Sequence, residues 1–291
     1  MSDGPRFDLQ SHSRHSDGSL EPAEVVRSAA RAGVQLLALS DHDTVAGVQE
    51  AIQAGREAGV RIVPAAELSA LHGDDEDLHI LGYGIDHHRP ELLAALARYR
   101  SDREARAERM AQALGAQGFA LDEELLAQRR TAGASIGRPH LAQAVFGAPA
   151  NADRLEAEGL TRPEEVLVAY LLPGGPAYRG RTIPAVQEAI QVIHAAGGVA
   201  VWAHPFWDIP DPERVLATLQ AFVGWGLDGV EAFYVTHDEE QTTLLADATE
   251  RLELLSTGSS DFHGPDHSRF SRFLAHDLHG RHPRLGPLLG G

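Results

Sequence analysis

With 291 residues, of which 43% are hydrophobic and 23% charged, the chain has the composition of a globular protein and can bury a core the size of one α/β barrel or two modest domains. A cysteine count of 0 excludes disulfides, thiolate zinc sites, iron–sulfur clusters and cysteine nucleophiles, so any metal must be held through nitrogen and oxygen. A formal net charge of −17 excludes the broad basic surface that grips long nucleic acid, although bound cations could still reverse the field locally for a small anion.

The first apolar stretch, Phe7-Asp8-Leu9-Gln10-Ser11-His12, reads as a strand entering a loop at Ser16-Asp17-Gly18-Ser19. Ala23 to Ala32, preceded by Glu21-Pro22 and stopped by Gly33, reads as a helix. Val34 to Leu39 is a second strand, Val45 to Ala58 a helix ended by Gly59, and Arg61 to Glu67 a third strand. This alternation implies parallel pairing through right-handed crossovers. Residues 71–77 read as a polar loop before a fourth strand at Leu78 to Tyr83.

The pattern then turns helical. From Pro90 to Ile183 the periodicity is that of helices, with a long amphipathic segment from Glu91 to Gln117 and shorter ones at His140 to Val145 and Pro163 to Leu171. Such an insertion is expected to be a helical cap over the strand ends. Strand and helix resume with Pro184 to Ala196, strand Val199 to Ala203, helix Pro212 to Trp225, strand Gly229 to Tyr234, helix Glu239 to Arg251 and strand Leu254 to Thr257. The expected domains are therefore a discontinuous barrel at 6–89 and 184–275, an inserted helical cap at 90–183, and an irregular tail at 276–291. No apolar run is long enough to cross a bilayer, and Met1 to Arg6 lacks the apolar part of a secretory signal, so the expected location is cytoplasmic.

Metal-capable side chains recur where the apolar runs stop. Ser40-Asp41-His42-Asp43 follows Leu36 to Leu39, Glu67 ends Val63-Pro64-Ala65-Ala66, His204 follows Val199 to Ala203, Asp261 and His263 follow Leu254 to Thr257, and His79 lies inside its own apolar run. In barrels, such strand ends converge on one face. Singly, each has a plainer use: His12 or His42 could bond to backbone, and Asp17 and Asp261 could cap a turn or a helix. Glu67, flanked by Ala66 and Leu68, is different, because a buried carboxylate is costly unless paired or metal-bound.

Three motifs, Asp8-Leu9-Gln10-Ser11-His12-Ser13 with Ser16-Asp17-Gly18, Ser40-Asp41-His42-Asp43-Thr44, and Ser260-Asp261-Phe262-His263-Gly264, occur in order with Ala66-Glu67-Leu68, Leu78-His79 and Ala203-His204-Pro205. Together they resemble the polymerase and histidinol phosphatase (PHP) family. The resemblance spans about residues 6–270 and implies a distorted seven-stranded β/α (TIM-like) barrel that hydrolyses phosphoric esters. It also implies two or three divalent ions (Mn, Fe or Zn). Carried over, one ion would be held by Gln10, His12, Glu67 and Asp261, a second by Glu67, His79 and His204, and a third by Asp17, His42 and His263.

Neutral imidazoles with few carboxylates would leave the ions net positive, and Glu67 could bridge two of them. Gln10 stands where the family usually has histidine; a carboxamide is the weaker ligand, so the first ion is expected to be held loosely. The segment Ser135-Ile136-Gly137-Arg138-Pro139-His140 resembles the branch acting on nucleotides or short RNA ends. Arg138 and His140 are the expected phosphate-binding pair, since guanidinium matches phosphate oxygens two at a time, although Arg138 could equally face solvent at a helix start.

The expected activity is hydrolysis of phosphate monoesters, of a nucleotide or another small phosphorylated metabolite, by a hydroxide between two ions. Histidinol phosphatase and short-RNA exonuclease are the enzymatic alternatives. A family member that binds metal or nucleotide without turnover is the alternative of another class. His72, His194 and His237 belong to no constellation and are expected at the surface, and the sequence is silent on oligomeric state.

Overall fold

The computed structural model describes residues 6–73, 75–131, 136–182 and 184–290, the side chains of 75–77 excepted. Seven strands form one sheet in sequence order: β1 (Phe7–Asp8), β2 (Leu36–Leu39), β3 (Arg61–His72), β4 (Asp75–Tyr83), β5 (Val199–Trp202), β6 (Gly229–Tyr234) and β7 (Leu255–Ser259). Beyond the strand pairs, Leu9 N donates to Gly258 O at 3.1 Å and Ser11 bridges Phe262 in parallel, so the sheet nearly closes into a barrel. The helices are α1 (Pro22–Ala32), α2 (Val48–Ala58), α3 (Pro90–Ala116), α4 (Glu123–Thr131), α5 (Arg138–Gly147), α6 (Ala152–Ala157), α7 (Pro163–Val166), α8 (Val186–Ala195), α9 (Pro205–Asp208), α10 (Pro212–Val223) and α11 (Glu239–Arg251).

Local chemistry accounts for these elements. In α1, Pro22 opens the helix, the Glu24 carboxylate accepts from Glu21 N at 3.3 Å, and Gly33 closes it at φ 84°, where a side chain would be strained. Val25, Val26 and Ala29 bury its inner face. All four residues of β2, Leu-Leu-Ala-Leu, are buried, as in a strand covered on both faces.

Pairing is parallel for β1–β2 and β2–β3, as their alternation with helices implies, and for β5–β6 and β6–β7, while β4 runs antiparallel to both β3 and β5. One expectation is corrected. The expected polar loop at 71–77 is mostly strand: β3 continues to His72 and β4 starts at Asp75, as the two arms of a hairpin. Asp74 lies outside the described residues. The reversal matters for the site, because it puts the start of β4 beside the end of β3, with His79 in register with Ser69.

Alternate residues fill the barrel: Phe7 and Leu9, Leu36 and Ala38, Val63 and Ala65, Leu81 and Tyr83, Val201 and Ala203 share one buried cluster. Leu285 and Leu288, from the tail read as irregular, join it. The tail holds one short turn of helix at Gly286–Leu289, and Arg284 pairs with Ser256.

The chain divides into two compact units, residues 1–97 with 184–291, and residues 98–183. The second unit carries α4 to α7 and most of α3, around a core that includes Met110, Leu114, Leu141, Val145 and Leu171. α4 and α6 fall within the stretch read as helical, outside the three segments singled out there. No described helix is long and apolar enough to cross a membrane.

Candidate metal centre

Period-two geometry points Val63, Ala65 and Glu67 to one face of β3, and His79, Leu81 and Tyr83 to the same face of the antiparallel β4. Glu67 and His79 therefore continue the apolar column that fills the barrel. Glu67 is fully buried, and its Oε1 lies 2.7 Å from His79 Nδ1 and 3.2 Å from His204 Nε2. Its Oε2 lies 3.1 Å from His12 Nε2 and 3.7 Å from His42 Nδ1.

Around this hub, His12 Nε2 stands 3.0 Å from Asp261 Oδ1, and its ring stacks between His42 at 4.7 Å and His263 at 4.3 Å. Asp17 completes the far side, with Oδ1 3.4 Å from His263 Nε2 and Oδ2 3.5 Å from His42 Nε2. The loop that delivers Asp17 needs Gly18, where a β-carbon would lie 2.2 Å from His12 O. Three non-glycine residues at the same end hold positive φ: Asp43 (53°), His204 (31°) and Asp261 (52°). Strained backbone of this kind persists where the surroundings over-determine it.

The ligand atoms form three overlapping groups, each within 4.8 Å: His12, Asp17, His42 and His263; His42, Glu67 and His79; and His12, Glu67 and Asp261. All eight charged or imidazole ligands expected from sequence thus converge. The grouping is not quite the expected one, for His42 reaches Glu67 as well as Asp17, while His204 touches Glu67 and, at 3.3 Å, His79 Nδ1. Gln10 is also in the cluster, with Nε2 donating to Glu67 Oε2 at 2.9 Å and Ser259 Oγ 3.3 Å from its Oε1.

The donor set fits divalent cations. His12 Nε2 and Asp261 Oδ1 are buried and 3.0 Å apart, yet neither has a hydrogen bond, the arrangement of two lone pairs aimed at common space. Burial opposes charge on His12, Asp17, Glu67, His204, Asp261 and His263, but the opposite signs around each outweigh it. For Glu67, burial pushes the carboxyl up while His42 and His79, with His12 and His204, hold it well below the usual carboxylate range; for Asp17, His42 and His263 do the same. Asp261 is brought down to about 2 against burial, chiefly by His263 and His12. Conversely His12 and His204, although disfavoured by burial, are raised well above an ordinary imidazole by their carboxylate neighbours.

Further residues support the cluster. Tyr234 OH donates to Asp261 Oδ2 at 2.8 Å, which leaves Oδ1 for the cluster. Glu231 is fully buried on β6; it accepts from His204 N at 3.0 Å and from Ser259 Oγ at 2.6 Å, and burial raises it to about 8. Its signal was a lone carboxylate in the apolar run Gly229 to Tyr234. Asp8, raised by burial to about 7, accepts from Ser260 N at 2.9 Å and Leu274 N at 2.8 Å and so anchors the turn before Asp261. Asp41 accepts from Ser13 N and Ser16 Oγ, both at 2.7 Å, and fixes the loop after His12. His237 is buried, not a surface group, and its Nδ1 donates to Ala232 O at 3.2 Å. His72 packs on Phe222 and Trp225, and His194 meets Asp228 at 2.8 Å.

Arg138 and His140 lie together on the first turn of α5, in the second unit. His140 is buried and its Nδ1 accepts from Gly137 N at 2.9 Å, which puts the ring proton of the neutral form on Nε2. Ser135, from the same motif, lies outside the described residues.

One end of the barrel gathers five imidazoles and three carboxylates, without sulfur, a donor set that could hold hard or borderline cations. The chain belongs to the PHP family. The PHP domain matches residues 8–101. Over 262 residues it is 34% identical to a 3',5'-nucleoside bisphosphate phosphatase of Chromobacterium violaceum, covering 89% of this chain and 87% of that one. Over 260 residues it is 30% identical to a 5'-3' exoribonuclease of Haemophilus influenzae, covering 89% and 90%. A solved structure of an amidohydrolase from Chromobacterium violaceum, with bound sulfate and no metal, superposes with a TM-score of 0.80 at 30% identity, over 92% of this chain and 90% of that one.

Proposed function

We propose that the protein is a metal-dependent phosphoesterase that removes phosphate from small phosphorylated metabolites, nucleotides foremost, in the cytoplasm. The observation that carries this reading is Glu67: one fully buried carboxylate, within 3.7 Å of four imidazoles, shared by two ligand groups. His12, Asp17, His42, Glu67, His79, His204, Asp261 and His263 would hold the ions, and Gln10 would be a weak ligand at best. Bound divalent ions, Mn, Fe or Zn, supply acidified water and neutralise charge on phosphate oxygens.

The chain's own residues do the rest. Glu67 keeps two ligand groups in one frame, Tyr234 and Glu231 fix the orientation of Asp261 and His204, and Asp41 holds the loop of His12. In the helical insertion, Arg138 and His140 would bind a phosphate, the guanidinium through paired donors and the imidazole through Nε2.

A relative named as a 5'-3' exoribonuclease favours one further reading, in which the nucleotide is the 5' end of a short RNA. The acidic balance weighs against a long polynucleotide track. One experiment tests these readings: metal analysis of the purified protein, with phosphate release measured over a panel of phosphorylated metabolites, nucleotides carrying both 3' and 5' phosphates, histidinol phosphate and short 5'-phosphorylated RNAs. Turnover of the nucleotides is expected. Bound metal with no turnover across the panel would contradict the enzymatic reading and favour a binding protein.

A further inference from the structure

Beside the ligand cluster stands a group of side chains that metal binding leaves unused. Trp207 follows His204 by three positions in α9 and is 48% exposed, where a large apolar ring is ordinarily covered. Its place is fixed by the backbone of a cluster residue, since Trp207 N donates to His204 O at 2.8 Å. Its ring meets Phe270 edge to face at 5.6 Å, and Phe270 in turn lies 5.5 Å from the His263 ring. A run of rings therefore leads from the cluster to an indole in solvent. Over that indole, 5.3 Å from its centroid, lies the guanidinium of the exposed Arg269.

We propose that Trp207, with Phe270 and Arg269, is a nucleobase platform beside the metal centre, so that the substrate is a phosphate ester carrying an aromatic base. This rests on the phosphoesterase reading above. A planar base stacks on an indole whatever its sequence identity, and a guanidinium next to it can stack on the base or fork onto a phosphate oxygen. In a chain of net charge −17, a cation placed on an exposed aromatic face next to a cation centre has the chemistry of a nucleotide site. A sugar ring can also lie on an indole, but it offers no π face to the guanidinium.

The test compares metal-loaded wild type, Trp207→Ala and Trp207→Phe on adenosine 3',5'-bisphosphate and on ribose 5-phosphate, which lacks the base. The preference for the nucleotide, as a ratio of kcat/KM values, should fall at least about tenfold in Trp207→Ala and stay within about threefold of wild type in Trp207→Phe. An unchanged ratio in Trp207→Ala, with or without an equal loss on both substrates, would overturn the platform. Tryptophan fluorescence, titrated with the same bisphosphate, gives a readout independent of turnover: quenching is expected in wild type and should be lost in Trp207→Phe, whereas equal quenching in both would also overturn it. Failure of the phosphoesterase reading looks different, as no phosphate release by wild type from any ester, with the quenching still reporting on Trp207.

Discussion

Replacing Glu67 by glutamine keeps the shape of the side chain and removes its charge, so it isolates what that charge does. In the folded protein Oε1 serves His79 at 2.7 Å and His204 at 3.2 Å, and Oε2 serves His12 at 3.1 Å. The group of His42, Glu67 and His79 loses its sole carboxylate, while the group of His12, Glu67 and Asp261 keeps one. Loss of an outer-shell partner of a metal ligand typically costs about 10–100-fold in affinity or activity. Removing a charged ligand common to two groups should compound such losses, to about 10³-fold or more in kcat/KM, or about 4 kcal/mol of transition-state stabilisation. The assay is steady-state phosphate release at saturating Mn(II), with bound metal counted after dialysis and circular dichroism to verify folding. A folded Glu67→Gln protein with wild-type metal content and more than about a tenth of wild-type turnover would refute the reasoning, since that loss is no greater than an outer-shell change produces.

Gln10→His should raise the number of tightly bound ions, because imidazole replaces a carboxamide whose NH2 now points at Glu67; an unchanged count by elemental analysis would show that position 10 does not limit occupancy. Tyr234→Phe removes the donor to Asp261 Oδ2 and should weaken metal binding by about 10–100-fold with the fold intact, read by competition with a chelating dye. Burial lowers His237 to about 4 from an ordinary 6.5, so its neutral form is the one that folds. Below pH 6.5 the unfolded chain takes up a proton that the native state refuses, and stability falls by about 1.4 kcal/mol per pH unit until about pH 4. The stability difference between wild type and His237→Asn, from urea unfolding at pH 7.5 to 4.5, should therefore shift against wild type as pH falls, whereas a constant difference would remove His237 as the cause.

Most residues of the cluster were legible because they interrupt or end an apolar run, and a barrel has one place to send such ends; Asp17, in a loop, entered only through the family motif. The direction of β4 was not legible. Residues 71–77 are polar and acidic enough to read as loop, yet His72 pairs with Asp75 at the far end of a hairpin, and polarity alone does not separate a strand end from a turn. Within the helical stretch α4 was not singled out, because Glu123–Thr131 buries only Leu126, too little for an apolar periodicity to appear. Gln10 was legible as a departure, but its contact with Glu67 depends on which end of the amide faces a carboxylate, and that is tertiary information. The same holds for Glu231 and Tyr234, whose partners lie 27 residues or more away. Nothing in the sequence singles out Trp207; its 48% exposure is what sets it apart.

The central claim is that Glu67 sits among cations. Anomalous diffraction at the metal absorption edge, on crystals of protein loaded with Mn(II), tests it most directly. At least two peaks are expected, one between Glu67 and the imidazoles of His79 and His204 and another bounded by His12, Asp17, His42 and His263. Peaks elsewhere, or none at this end of the barrel at saturating Mn(II), would contradict it.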